Sequence, residues 1–287
     1  MSVKKKDFKL QCLKKLYSFK NRYLQNNLIY LFFKFFNFKK DDLLKLYFKF
    51  DKEMRKVFVK AMILNNIRLP QEMIDLIDLS DDSLFSALLK YSDENNMKIK
   101  KIKKILPEKI KNKREFLLNS YPYFNEFYLK VLLKEKDLFT GFIENLINKR
   151  RKLNLINNYA LENFNNFKLD LYFRIELTKY LITYNLVSNK KILKFILSLF
   201  KNKNLEYKTD EFYISVILPL LAKNYKKDDF NYYVELLKTV NLTAMVTTLK
   251  SIEITKDKRF IKFLKPMIKE RQISYQVKKT IYYLENF

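Results

Sequence analysis

The chain has 287 residues, 48% of them hydrophobic and 16% aromatic, with one glycine, five prolines, one cysteine and no histidine or tryptophan. With Gly141 alone, the chain cannot build glycine-dependent hairpins, bulges or phosphate-binding loops, which excludes Walker, Rossmann and kinase-type sites. Lysine and arginine number 58 against 31 acidic residues, a formal charge of +27. A field of that size attracts nucleic acid, anionic lipid or acidic protein, although an AT-rich coding bias toward Lys, Asn, Ile, Phe and Tyr produces the same composition.

Apolar residues recur at helical spacing nearly throughout. Residues 8–20 read as a helix, followed by a strongly aromatic one over 22–36 and a third from Asp41 to Phe50. The span Asp51–Asn65 repeats the pattern, with Met54, Val57, Phe58, Ala61 and Met62 expected inward. Pro70 suits the start of a helix over Gln71–Leu79, and Ser80 is the expected N-cap of the next, to Tyr91. Ser92–Asn96 reads as a polar linker. Residues 97–106 form a basic helix that Pro107 should interrupt before 108–118 resume.

The second half is more regular. Helices are predicted at 123–134, 137–149, 153–163, 168–186, 190–201, 209–223, 228–238, 241–252, 257–270 and 273–285. Their short links favour antiparallel neighbours. Pro219 and Pro266 fall inside predicted helices, and Asn is the expected substitute for Gly at helix ends. This partition gives N-terminal helical repeats over 1–92, a basic and proline-containing connector over 93–122, and C-terminal repeats over 123–287.

Ile217, Leu249 and Ile281 lie 32 residues apart, each in the second helix of a predicted pair. Met245, Leu249 and Ile252 correspond to Val277, Ile281 and Leu284. The stretch VELLKTVNLTAMVTTLKSIEITKDKRFIKFLKPMIKERQISYQVKKTIYYLENF, with Asp257 at the turn and Val277-Lys278 as a Val-basic pair, resembles HEAT repeats. DKEMRKVFVKAM, from Asp51 to Met62, resembles the same second helix. The usual first-helix proline is missing from most units, and Thr248 and Thr280 stand where small residues are customary. The resemblance implies an all-α, α-α superhelix of antiparallel helix pairs, a HEAT-like solenoid. It also implies a scaffold, adaptor or transport role more often than catalysis. The competing architecture is a non-repetitive helical bundle.

No constellation carries chemistry. Without histidine the common triads fail, and one cysteine leaves neither a disulfide nor a thiolate metal site. Asp81/Asp82 and Asp228/Asp229 read as helix starts. The resemblance also covers one group of DNA glycosylases, but no Asp or Glu is marked as catalytic and the tryptophan such enzymes use is absent. The expected function is therefore non-catalytic binding of a macromolecular partner, with no cofactor, metal or small-molecule substrate. The partner is another protein with an acidic surface, or, as the alternative, the phosphate backbone of nucleic acid.

The candidate contact residues are Lys98, Lys100, Lys101, Lys103, Lys104, Lys109, Lys111, Lys113 and Arg114, joined by a second cluster of Lys149, Arg150, Arg151 and Lys152. In the aromatic helix, Tyr30, Phe32, Phe33 and Phe36 have two readings: a cap that seals the first repeat, or a docking surface. Flanking lysines add peripheral membrane contact as a lesser alternative, and stacking of single-stranded nucleic acid on exposed Tyr or Phe is a weaker one. The longest apolar stretch, Leu28–Phe38, is too short to span a bilayer and the basic start lacks a cleavage site, so the expected location is cytoplasmic.

Overall fold

The computed structural model describes residues 12, 15, 21–36, 39–110, 119–201, 207–239 and 241–287. Among the described residues there are sixteen α-helices and three 3-10 helices, and no strand. The predicted helix over 8–20 and the span 111–118 lie outside the described residues, Cys12 and Lys15 excepted. The chain divides into two compact units, Met1–Phe124 and Asn125–Phe287.

In the first unit the helices are α1 (Arg22–Phe35), α2 (Lys40–Lys49), α3 (Lys52–Leu64), α4 (Gln71–Leu76), α5 (Asp82–Glu94) and α6 (Lys100–Ile110). A 3-10 turn, Tyr121–Tyr123, closes the unit. Helix α3 packs against α1, α2 and α5. Its Phe58 is the hub of an aromatic core, with Phe33 at 4.8 Å and Phe50 at 5.3 Å between ring centroids.

In the second unit the helices are α7 (Glu126–Lys134), α8 (Lys136–Asn148), α9 (Asn154–Asn163), α10 (Leu171–Thr183), α11 (Asn189–Lys201), α12 (Tyr207–Lys223), α13 (Phe230–Leu237), α14 (Leu242–Thr255), α15 (Ile261–Met267) and α16 (Ser274–Asn286). Each odd-numbered helix packs on the helix that follows it, and α8, α10, α12, α14 and α16 pack in succession. The first helices also meet, α7 with α9 and α11 with α13. Ile217, Leu249 and Ile281, the residues of the 32-residue spacing, are all buried in this succession. Every helix predicted in this half is present, with ends shifted by a few residues.

Helix ends explain how the chain manages with one glycine. Five helices finish with a left-handed residue, Lys256 after α14 and, with a shared closure, Asn66, Asn96, Arg150 and Asn185, at φ of 53°, 48°, 52° and 53° for these four. In these four, the next amide reaches back to close a six-residue loop, Ile67 to Met62, Met97 to Ser92, Arg151 to Leu146 and Leu186 to Leu181. This is the Schellman closure, with asparagine at three of the four positions. Gly141 itself has no positive φ and sits inside α8.

A second device repeats in both units. Three residues past the left-handed position, a backbone N–H donates to a buried tyrosine hydroxyl further along the chain. The pairs are Leu69 to Tyr91 at 3.0 Å, Ile99 to Tyr123 at 2.9 Å and Leu153 to Tyr180 at 3.1 Å. Each bond satisfies an amide that the turn leaves without a helical partner.

Several local expectations are corrected. Asp81, not Ser80, caps α5, because its carboxylate accepts from the amides of Ser83 and Leu84 while Ser80 donates to Asp78. Ser92 and Asp93 are not linker but the buried last turn of α5. Helix α6 starts at Lys100 rather than 97, because the Met97 amide is used to close α5. It then runs through Pro107, held by the buried stripe of Ile99, Ile102 and Leu106 that precedes the amide-free position. Pro219 and Pro266 lie inside α12 and α15, as their predicted helices required.

Candidate functional site

The basic segment is set in place by a hydrogen-bond relay. The Ile99 amide donates to the Tyr123 hydroxyl, which lies 2.6 Å from Ser92 Oγ, and Ser92 Oγ donates to the Met97 carbonyl. A serine has one proton. Since Ser92 gives it to Met97, Tyr123 must donate to Ser92. The relay therefore begins and ends on the strip Met97–Ile99, which leads into α6. Burial raises the Tyr123 pKa, keeping the phenol protonated as the relay requires, even though its bonds to Ser92 and Ile99 act the other way.

Along α6, Ile99, Ile102 and Leu106 are buried and the lysines divide into two groups. Lys101 is used internally: its Nζ donates to the carbonyls of Asp75 (3.1 Å) and Ile77 (2.5 Å), capping the end of α4. Lys109 pairs with Asp82 and lies over the Phe85 ring. Lys98, Lys100, Lys103 and Lys104 are exposed and form no ion pair among the described residues. Lys111, Lys113 and Arg114 lie outside the described residues.

The second basic cluster belongs to the other unit and is a helix-closing turn. Lys149 is the C-cap of α8, Arg150 is the left-handed residue, and the Arg151 amide completes the closure. Lys152 stands 5.4 Å over the ring of Tyr184, which is also where its Nζ reaches a carbonyl at 3.5 Å. Cations beside these last carbonyls complement the negative end of the helix. Lys149, Arg150 and Lys152 remain exposed.

The docking set in α1 does not form a surface. Phe32 and Phe33 are only 5% and 4% exposed, because they complete the core around Phe58. Tyr30 and Phe36 are half-buried. The rings α1 does expose are Tyr23 and Phe35.

The paired acids act as fold elements. Lys56 and the serine and amide bonds of the cap hold the Asp81 carboxyl well below the usual range. Asp229 is buried and accepts from Asn189 and the Lys226 amide. Asp257, the turn aspartate, accepts from Tyr225 at 2.7 Å and from Arg259 at 2.6 Å. Burial opposes its ionisation, but these donors outweigh it and its pKa falls below normal. Among the described residues no group of His, Cys, Asp or Glu is arranged to hold a metal ion, and no helix is long and apolar enough to cross a membrane.

Three features escaped sequence reasoning. One is a cleft of about 530 Å3 in the first unit, lined by Lys40, Ile67, Arg68, Gln71, Glu72 and Met97 over a floor that includes Leu43 and Ile74. Another is two buried charged residues in α10: Arg174, 5.3 Å from the Phe167 ring centroid and 5.8 Å from that of Tyr213, and Glu176, which pairs with Lys179. The third is an exposed tyrosine and lysine face on α16. Only the last has a local sequence signal, two tyrosines seven residues apart with lysines between them. Comparison with protein-family models, curated proteins and solved structures gives no significant match.

Proposed function

We propose that this chain is a non-catalytic scaffold or adaptor that holds an acidic protein partner on a helical surface, with α6 as a contact element. The observation that carries the reading is the division of labour among the α6 lysines. Lys101 and Lys109 serve the fold, whereas Lys98, Lys100, Lys103 and Lys104 are exposed and no carboxylate among the described residues neutralises them. Lysines that only solubilise a helix need no rigid base. This row has one, in the Tyr123–Ser92 relay and the Lys101 cap.

A HEAT-like solenoid is the finer architecture we assign to residues 125–287. Its support is the succession of second helices, α8 to α16, each packed on the next and each paired with a first helix. Such stacks work by presenting side chains from many repeats to one partner. Exposed lysines occur in both units, on α2 and α6 in the first and on α11 and α15 in the second.

The test is a quadruple Lys98, Lys100, Lys103 and Lys104 to Gln variant compared with wild type in quantitative cross-linking from native cells. The expected result is selective loss of acidic protein partners, with unchanged thermal melting. Retention of every partner refutes the role of α6. Binding to a DNA or RNA duplex that weakens steeply with salt and disappears in the variant replaces the protein reading with a phosphate-backbone one.

A further inference from the structure

Helix α16 carries a second surface, independent of α6 and in the other unit. Its buried side is Val277, Thr280, Ile281 and Leu284. Opposite these, Tyr275 and Tyr282 are 82% and 70% exposed, and Lys278 and Lys279 between them are exposed as well. At 3.6 residues per turn the four side chains fall within an arc of about 100°. None of the four forms an ion pair or ring contact among the described residues. Glu285 at the edge of the face is its one carboxylate.

The combination of residues is selective. Lysines attract any anionic partner, but the exposed tyrosine rings of this face add a flat stacking surface that α6, which has no aromatic residue, does not offer. Rings that offer a flat face beside ammonium groups that offer charge suit a ligand with both π-faces and phosphates. The bases of a duplex are stacked on one another and unavailable, so the ligand must be single-stranded. The two tyrosines are about 10 Å apart along the axis, at 1.5 Å per residue. That is roughly three stacked nucleotide steps of about 3.4 Å.

We propose that the α16 face binds single-stranded nucleic acid, with Tyr275 and Tyr282 stacking on bases at either end of a short segment and Lys278 and Lys279 pairing with the phosphates between. The interaction is sequence-tolerant, since every base has a π-face. It goes beyond the scaffold reading and does not depend on it: the α6 lysines contribute charge to any polyanion, whereas this face combines charge with exposed rings.

The experiment is fluorescence anisotropy of the full chain with labelled twelve-nucleotide oligouridylate and oligothymidylate, and with a duplex of equal length. Two paired variants are compared with wild type, Tyr275→Ala/Tyr282→Ala and Tyr275→Phe/Tyr282→Phe. Both sites are solvent-exposed, so the variants are expected to fold, and unchanged melting verifies it. The expected result is single-strand affinity at least about 10-fold weaker in the Ala pair, within about twofold of wild type in the Phe pair, and duplex affinity unchanged in both. Lys278→Gln/Lys279→Gln is expected to reduce the salt dependence of single-strand binding. Equal single-strand affinity in wild type and the Ala pair overturns the proposal. So does loss in the Phe pair matching that in the Ala pair, or failure of wild type to bind either oligonucleotide at low salt.

Discussion

The relay that seats α6 yields a quantitative prediction. Tyr123→Phe removes one hydroxyl and keeps the ring. The Ile99 amide then has no acceptor, and Ser92 Oγ loses its donor, at positions where Ile99, Ser92 and Tyr123 are all buried. An unsatisfied buried donor costs about 1–3 kcal/mol, and the second lost bond adds about 1. Allowing for partial relaxation, the expected destabilisation is about 2–3 kcal/mol. Ser92→Ala strands the Tyr123 proton but leaves the half-buried Met97 carbonyl within reach of water, so it should cost about 1–2 kcal/mol. The two changes delete the same Tyr–Ser bond, so the double variant should fall short of their sum by about 1 kcal/mol. Urea titration gives the energies, and amide exchange at Ile99 reports the local bond. A Tyr123→Phe variant within about 0.5 kcal/mol of wild type, or strict additivity in the double variant, refutes the relay.

Three further outcomes follow from the same geometry. Lys101→Ala should lower stability by about 1 kcal/mol in urea titration, because the Asp75 and Ile77 carbonyls lose their donor, whereas Lys103→Ala should change it by less than about 0.5. Asn185→Ala should destabilise by about 1 kcal/mol because alanine resists the left-handed conformation, while Asn185→Gly should be neutral or stabilising in the same urea titration. Burial raises the Glu176 pKa, against the pull of Lys179, so its ionised form destabilises the fold above the folded-state pKa. Stability should therefore recover as pH falls through that pKa. Glu176→Gln should melt higher than wild type at pH 7, with the difference closing below the ordinary carboxylate value of about 4.3; a gap independent of pH rejects this account.

Much of the fold was legible in the sequence because helix formation is governed by short-range periodicity. The rows of apolar residues from 126 to 286 mark ten helices that are all present, and the 32-residue spacing of Ile217, Leu249 and Ile281 marks three second helices that pack in succession. That asparagine stands in for glycine at helix ends was readable for the same local reason, but the positions, Asn66, Asn96 and Asn185, came from the structure. Errors arose where a distant partner changed a local preference. Ser92 looks like linker until Tyr123 reaches it from 31 residues away, and Pro107 looks like a break until the buried faces of Ile102 and Leu106 hold the helix together.

The candidate site was less legible, since availability of a side chain is not a local property. Lys101 and Lys103 are indistinguishable in sequence, yet one caps a neighbouring helix and the other faces solvent. Phe33 and Phe35 differ in the same way, one in the core around Phe58 and one exposed.

By itself, the sequence determined that this chain is helical, how its helices are spaced and how they end without glycine, because those depend on contacts within a turn or two. Only the tertiary structure decided which lysines and rings are left for a partner. Burial and pairing are set by residues far apart in the chain, and a periodic pattern carries no record of what packs against it.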